Sequence, residues 1–382
     1  MAEVLFIIGL FGVSYSYFIY PFILVLITKI KRNDYDQVMS DGTHPPPSIS
    51  FIITAYNEEK QIAKKIENTL LAKYPSDKIE FIVASDGSTD MTNEIVQSYT
   101  DKGVILHHVA ERKGKENAQK SAIGVAKGDI LVFSDVSTQI ESCALEQIAR
   151  RFENPKVGAV SSEDRFLTND GELAGEGAYV KYEMWLRKLE SNVSGLVGLS
   201  GSFFTARKEV CKNWSISVPS DFNTALNCVQ NGYVAVTAPE LLGFYPNLQD
   251  ETKEYQRKVR TVIRGISALF GQAFIMNPFK YRLFSFQVVS HKLMRWLVPW
   301  FLLLTFTANF IQFEHSFFYK LTFFSQCLFY GLALLGYLSW QARQKSIVKL
   351  SYFFVQVNLA ILHSSILFLV GKRITFWEPS QR

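Results

Sequence analysis

The chain has 382 residues, 48% of them hydrophobic, with a formal net charge of +5. That length admits a sizeable core and more than one structural unit, and so mild a charge needs no nucleic-acid partner, because basic residues flanking membrane segments account for much of it. The four cysteines, Cys143, Cys211, Cys228 and Cys327, have neither metal-ligand nor disulfide-framework spacing, which argues for reduced packing residues in a cytosolic compartment.

Residues 4–28 contain no charge and are long enough to cross a bilayer. No basic region precedes them, as a signal peptide requires, whereas Lys29, Lys31 and Arg32 follow. That flank puts the C-terminal end of the segment, and the domain after it, on the cytoplasmic side. Pro45, Pro46 and Pro47 then mark a linker.

From residue 48 the pattern alternates between short apolar runs and helical periods. Residues 48–54 predict a first strand. Asn57, Glu58 and Glu59 follow as a helix cap, before a helix with Ile62, Ile66 and Leu70 on one face, ended by Tyr74-Pro75. Residues 79–85 are the second strand, with a helix from about Asp90; residues 104–108 are the third, 116–126 a helix, and 129–133 the fourth strand. This alternation predicts an α/β fold, a parallel sheet wound with helices whose ligands gather at the carboxyl ends of the strands. Thr54-Ala55-Tyr56-Asn57-Glu58-Glu59, Ser85-Asp86-Gly87-Ser88-Thr89-Asp90 and Ser134-Asp135-Val136-Ser137 all fall at those ends. An acidic rim is costly unless a cation or a donor-rich ligand meets it, and a nucleotide diphosphate with a divalent metal supplies both. Each turn alone is ordinary turn chemistry; three in succession are not. Between them, Glu111-Arg112-Lys113-Gly114-Lys115 suits a diphosphate at a helix start, or equally a solvated surface turn. Further on, Ser220-Asp221-Phe222 reads by itself as a helix cap.

Residues 283–295 mix His291, Lys292 and Arg295 with apolar residues, as in a helix lying at a membrane surface or an amphipathic connector. Three more spans are predicted over 296–313, 321–340 and 350–371. Arg343, Lys345 and Lys349 between the last two agree with the first orientation, whereas Lys372 and Arg373 would fall outside if all four segments cross. Either that signal is overruled, or one segment lies in the interface. The expected organisation is therefore 1–30 a transmembrane helix, 31–282 a cytoplasmic domain, 283–295 an interfacial helix, 296–371 three transmembrane helices, and 372–382 a tail.

Taken in order, the four rim and turn motifs resemble the family 2 glycosyltransferases, the inverting group with the GT-A fold. The resemblance continues through Tyr182-Glu183, Leu189-Glu190-Ser191, Gly198, Gly201-Ser202-Phe203 and Arg207 to Asp221, eleven residues before Gly232-Tyr233. It extends to Gln256-Arg257-Lys258-Val259-Arg260, and the region from Trp296 is similar to the branch that makes cellulose, chitin, hyaluronan and poly-N-acetylglucosamine. It implies a Rossmann-like GT-A domain with α-helical transmembrane segments. It also implies a nucleotide-sugar site of Thr54, Ala55, Tyr56, Glu58, Asp86, Lys113, Lys115, Asp135, Arg257 and Arg260, with Asp135 meeting Mg2+ or Mn2+ and Asp221 as catalytic base. The implied partners are a nucleotide-sugar donor, a UDP-sugar in the first instance, a lipid-linked or saccharide acceptor, and membrane lipids; a second copy of the chain or a secretion component is a further candidate. Three departures stand out. Ser137 replaces the second acid of the DxD motif, Lys120 stands where an asparagine is expected, and Thr261 replaces the tryptophan after the QxxR motif. The first questions tight metal binding, and the last questions processive polymerisation. A catalytically silent nucleotide-sugar-binding subunit is the competing reading from another class. A transporter is disfavoured by the few buried charges in the spans, and a dinucleotide dehydrogenase by the lack of GxGxxG after the first strand.

Overall fold

A computed structural model of the chain describes residues 1–30, 35, 45–167, 178–246 and 251–374. In chain order its elements are α1 (Ala2–Ser14), a π-helical turn (Tyr15–Ile19) and α2 (Tyr20–Ile30), then β1 (Ile49–Ala55), α3 (Ile62–Leu70), β2 (Ile79–Asp86), α4 (Thr92–Gln97), β3 (Val104–Val109), α5 (Lys115–Val125), β4 (Ile130–Asp135) and β5 (Gln139–Ile140). There follow α6 (Ala144–Phe152), β6 (Val157–Leu167), α7 (Ala178–Val193), β7 (Phe203–Arg207), α8 (Ser220–Gln230) and β8 (Val234–Pro246). The chain continues with α9 (Glu251–Gly271), α10 (Pro278–Val288), α11 (Met294–Ile311), α12 (Phe317–Leu338), α13 (Trp340–Arg343) and α14 (Ser346–Leu369). Two compact units result: Leu24–Gln249 with Ala268–Ser285, and Met1–Ile23 with Asp250–Ser267 and Phe286–Arg373.

The first unit is built on a sheet of order β3-β2-β1-β4-β7-β6-β8-β5 among the described residues. β3, β2, β1 and β4 run parallel, β7 is antiparallel to both of its neighbours, and β6 and β8 are again parallel. Every residue of β1 is buried, as expected of a strand covered on both faces. Its side chains alternate: Phe51 and Ile53 join a core with Ile62 and Ile66 of α3 and Leu145 and Ile148 of α6. Ile52 joins the opposite core with Ala118 and Ala122 of α5 and Ala225 of α8. Each large apolar side chain so buried contributes roughly 1.5–3 kcal/mol before ordering costs.

The second unit is helical. Ala2–Ile30, Pro278–Ile311, Phe317–Leu338 and Ser346–Leu369 are long and apolar enough to cross a membrane. α1 packs closely on α11 because Gly9 and Gly12 lack side chains there: a Cβ on Gly9 would lie 2.2 Å from Thr305 Oγ1, and one on Gly12 would lie 2.4 Å from the Phe301 ring. Outward-facing Phe324 and Leu328 are 61% and 65% exposed, which suits hydrocarbon rather than water as solvent.

Two expectations need adjustment. Residues 283–295 do not form a separate helix. The chain breaks at Arg282 (φ 47°), then runs helically through a π-turn at Val289–Leu293 into α11. Residues 250–267, inside the stretch assigned by sequence to the α/β domain, group with the helical unit. The reason is side-chain packing between α9 and α14: Tyr255 stacks on His363, Lys258 lies 4.7 Å from the centre of the Phe353 ring, and Ser364 Oγ donates to the Val259 carbonyl at 3.3 Å.

Candidate active site

Register alone gathers the rim. Thr54 lies opposite Ala84 on one side and Asp135 on the other, and Ala55 lies opposite Ser85, so β1, β2 and β4 end together. The loops beyond are tied to each other. The Asn57 N–H donates to Ser88 Oγ at 3.1 Å, that of Glu58 to Thr92 Oγ1 at 2.8 Å, and that of Glu59 to Asp90 Oδ2 at 3.1 Å. The predicted cap at residues 57–59 is therefore a misreading. Asn57 sits at φ 51° and its side chain accepts from the Thr89 N–H at 2.8 Å, while the helix starts later, at Ile62. Asn and Asp tolerate the left-handed region because their side chains bond locally, and that use competes with capping.

Asp86 is buried, and its two carboxylate oxygens accept from the Lys113 N–H at 3.0 Å and the Gly114 N–H at 2.8 Å. Asp86 thus shapes the basic turn before α5. Gly114 has φ 98°, and Gly87 (φ 67°) lets the chains approach so closely that a Cβ there would lie 2.8 Å from the Arg112 nitrogen. Arg112 in turn lies 3.9 Å from the centre of the Tyr56 ring, a cation–π contact that fixes the ring at the rim. Lys113 points outward and pairs with Glu111 at 2.8 Å.

Lys115 occupies the centre. Its buried ammonium pairs with the Asp135 carboxylate and donates to the Gly201 carbonyl at 2.8 Å. A Cβ on Gly201 would lie 3.5 Å from Asp221 Oδ2, and Asp221 stands in the first turn of α8, one residue inside the helix start rather than at its cap. No described residue hydrogen-bonds or ion-pairs with the Asp221 carboxylate. Beneath the Gly201 turn, Ser200 Oγ donates to Asp164 Oδ1 at 2.6 Å and the Ser200 N–H donates to Ser161 Oγ at 2.7 Å, and Arg187 donates to the same Ser161 oxygen at 2.5 Å. Burial pushes the Asp164 carboxyl above the usual range, partly offset by Ser200 and Arg187.

The sequence profile named Glycosyl transferase family 2 matches residues 50–214, which carry β1 to β7 and every rim loop described above. The chain carries a glycosyl transferase family 2 domain. Among curated proteins, the beta-monoglucosyldiacylglycerol synthase of Nostoc sp. is 25% identical over 189 residues, 46% of this chain and 39% of that protein. The poly-beta-1,6-N-acetyl-D-glucosamine synthase of Staphylococcus aureus is 28% identical over 165 residues, 42% and 39% of the two chains. The match therefore spans about two fifths of each curated relative. The mannosyltransferase PcManGT from Pyrobaculum calidifontis, solved in complex with GDP-Man and Mn2+, superposes with a TM-score of 0.74 at 20% identity, over 98% of this chain and 100% of that one. The two share the GT-A fold, with its mostly parallel sheet flanked by helices.

Among the described residues of the family 2 domain, no three His, Cys, Asp or Glu side chains stand together to hold a metal. Asp135 has one oxygen engaged by Lys115, and the second acid of the motif is Ser137. Mg2+ and Mn2+ take many of their oxygens from substrate phosphate and water, so Asp135 fits such an ion as one ligand of a site shared with a donor. Arg257 and Arg260 lie on α9, and Arg257 makes a two-pronged pair with Glu254 at 2.8 and 2.9 Å. Sequence reasoning passed over Lys65, which is 1% exposed and hydrogen-bonds Ser134 Oγ at 2.7 Å. A signal existed: Ile62, Lys65, Ile66 and Thr69 share the buried helical stripe, and a lysine there needs a buried partner. Arg112 and Asp164 carried no such signal, because their roles arise from loop and strand pairings distant in sequence.

Proposed function

We propose that the chain is a membrane-bound inverting glycosyltransferase. It moves a sugar from a nucleotide-diphosphate donor, a UDP-sugar in the first instance, to a lipid-linked or saccharide acceptor in the synthesis of cell-surface or extracellular polysaccharide. The observation that carries this reading is that Lys115 joins Asp135 to the Gly201 carbonyl while Asp221 Oδ2 lies 3.5 Å from where a Cβ on Gly201 would stand, which brings the Asp135 side of the rim near a carboxylate that no described residue engages. The relatives, one a glycolipid synthase and one a polysaccharide synthase, support the two acceptor classes.

In this reading Asp221 takes the proton of the acceptor hydroxyl as that oxygen attacks the anomeric carbon from the face opposite the diphosphate. Charge develops on the departing diphosphate as the sugar passes through an oxocarbenium-like state, and the Lys115 ammonium faces that charge, with Lys113 as an outer cation. Asp86 and the stretch Thr54, Ala55, Tyr56 and Glu58 hold the base end of the donor. Asp135 would hold Mg2+ or Mn2+, which supplies Lewis-acid stabilisation of phosphate oxygens when bound. The catalytic domain faces the cytoplasm of a plasma or inner membrane, where nucleotide sugars are made.

Detergent-purified protein incubated with UDP-glucose, UDP-N-acetylglucosamine and GDP-mannose, with products read by mass, tests this directly. Transfer from a UDP-sugar is expected, transfer from GDP-mannose alone would change the donor, and binding without transfer would favour a silent subunit. Asp135→Ala should weaken donor affinity in calorimetry and remove its response to Mg2+ or Mn2+; unchanged affinity would mean the rim is not the nucleotide site.

A further inference from the structure

Ser137 leaves Asp135 as the lone acid of its motif, so its carboxylate must be positioned by the fold. The segment that carries it runs from the end of β4 through a turn to β5. In that turn the Asp135 N–H donates to the Ser202 carbonyl at 2.9 Å, and the Thr138 N–H donates to the Asp135 carbonyl at 3.2 Å. Helix α3 lies behind it and contributes two polar side chains, Lys65 and Asn68. Asn68 clamps Ile140 in both directions, donating from Nδ2 to its carbonyl at 3.0 Å and accepting its N–H on Oδ1 at 2.9 Å. Lys65 takes the other end: its Nζ donates to Ser134 Oγ at 2.7 Å and to the Thr138 carbonyl at 2.5 Å, the residues just before and just after the turn.

We propose that Lys65 is a positioning residue for donor binding, an internal cation that braces the 134–138 turn from inside the fold and holds Asp135 facing Lys115 before any donor or metal arrives. The proposal rests on the nucleotide reading of the rim. Three features support it. Lys65 is 1% exposed and its ammonium lies 5.3 Å from the centre of the Phe51 ring on β1, so it is walled off from solvent. The Asp135 carboxylate is the nearby acid that opposes the desolvation of this amine. A buried cation is costly to keep unless its partners use it, and here those partners flank one candidate site residue. A purely packing role at this stripe position would be met by leucine or methionine without that cost.

Hydrogen exchange on the full chain in detergent, without ligand, tests the brace, and calorimetry with UDP tests its consequence. Lys65→Gln keeps N–H donors and loses the charge; Lys65→Arg keeps the charge. In Lys65→Gln the amides of residues 134–140 should exchange about tenfold faster while β2 and α5 are unchanged, and UDP should bind about tenfold more weakly. Lys65→Arg should restore most of both. Should Lys65→Gln fail to fold, Ser134→Ala removes one partner of the ammonium, and a smaller loosening confined to the same segment is expected. Unchanged exchange at 134–140 would overturn the proposal, as would loosening spread through the whole sheet, which marks a merely structural lysine. If the wild-type chain binds no nucleoside diphosphate, the nucleotide reading fails, and the exchange data still decide the brace.

Discussion

Asp221 and Lys65 show how local surroundings assign different work to two charged side chains of one unit. Asp221 sits in the first turn of α8, and no described residue engages its carboxylate. Asp221→Asn should therefore lower turnover by about 10²–10⁴, the range for a lost general base, with donor affinity nearly intact by calorimetry. Turnover within a few-fold of wild type would remove it from the mechanism. Lys65 is the opposite case: burial pushes its ammonium down to about 7, against the pull of Asp135. Because the folded pKa lies below the unfolded one, the unfolded chain binds the extra proton between those values. Stability therefore rises with pH from about 7 towards 10.5 and is lowest below that window. Melting curves of wild type and Lys65→Met in detergent should diverge accordingly, the wild type gaining on the variant between pH 7 and pH 10 by on the order of a few kcal/mol. Parallel curves would show that Lys65 does not titrate there.

At the scale of elements, the strands and helices of the α/β unit were legible because period and burial agree: β1 to β4 each lie within two residues of their predicted limits. The errors are at junctions. Asn57 was read as a cap because its type suits one, yet it is consumed by the loop after β2, a partner 32 residues away. The break at Arg282 has no proline or glycine to announce it, and beyond it the chain runs on through the π-turn into α11 with no interruption at 295. Gly114 offers a clean test of the basic turn. At φ 98° and ψ 162° it occupies a region open essentially to glycine, so Gly114→Ala should cost about 1–3 kcal/mol. The variant should also bind donor more weakly, because the Gly114 N–H holds Asp86 and its neighbour Lys115 holds Asp135. An unchanged melting temperature, read by thermal denaturation, would contradict the strain.

For the whole molecule the open quantity is the number of sugars added per encounter. A processive enzyme must retain a growing chain, and Thr261 stands where the polymer-making relatives are expected to carry an aromatic residue. Base and sugar stacking on an aromatic face slows release, so its absence favours short or single additions. Chromatography of radiolabelled product at limiting enzyme is expected to give one-sugar extension of most acceptor. Long polymer beside untouched acceptor would reverse the expectation.

By itself the sequence determined the four apolar stretches, the strand–helix alternation and the three acidic turns, because each depends only on local period and residue type. The gathering of the turns after β1, β2 and β4 also followed, since a parallel sheet brings strand ends together wherever register is kept. Tertiary structure alone decided what those residues touch. Lys115 reaches across 86 residues to Gly201, Asp86 accepts from the turn at 113–114, and Lys65 disappears beneath Asp135. Contacts of that kind are set by packing of distant segments, and no local periodicity encodes which of several nearby carboxylates a buried ammonium will meet.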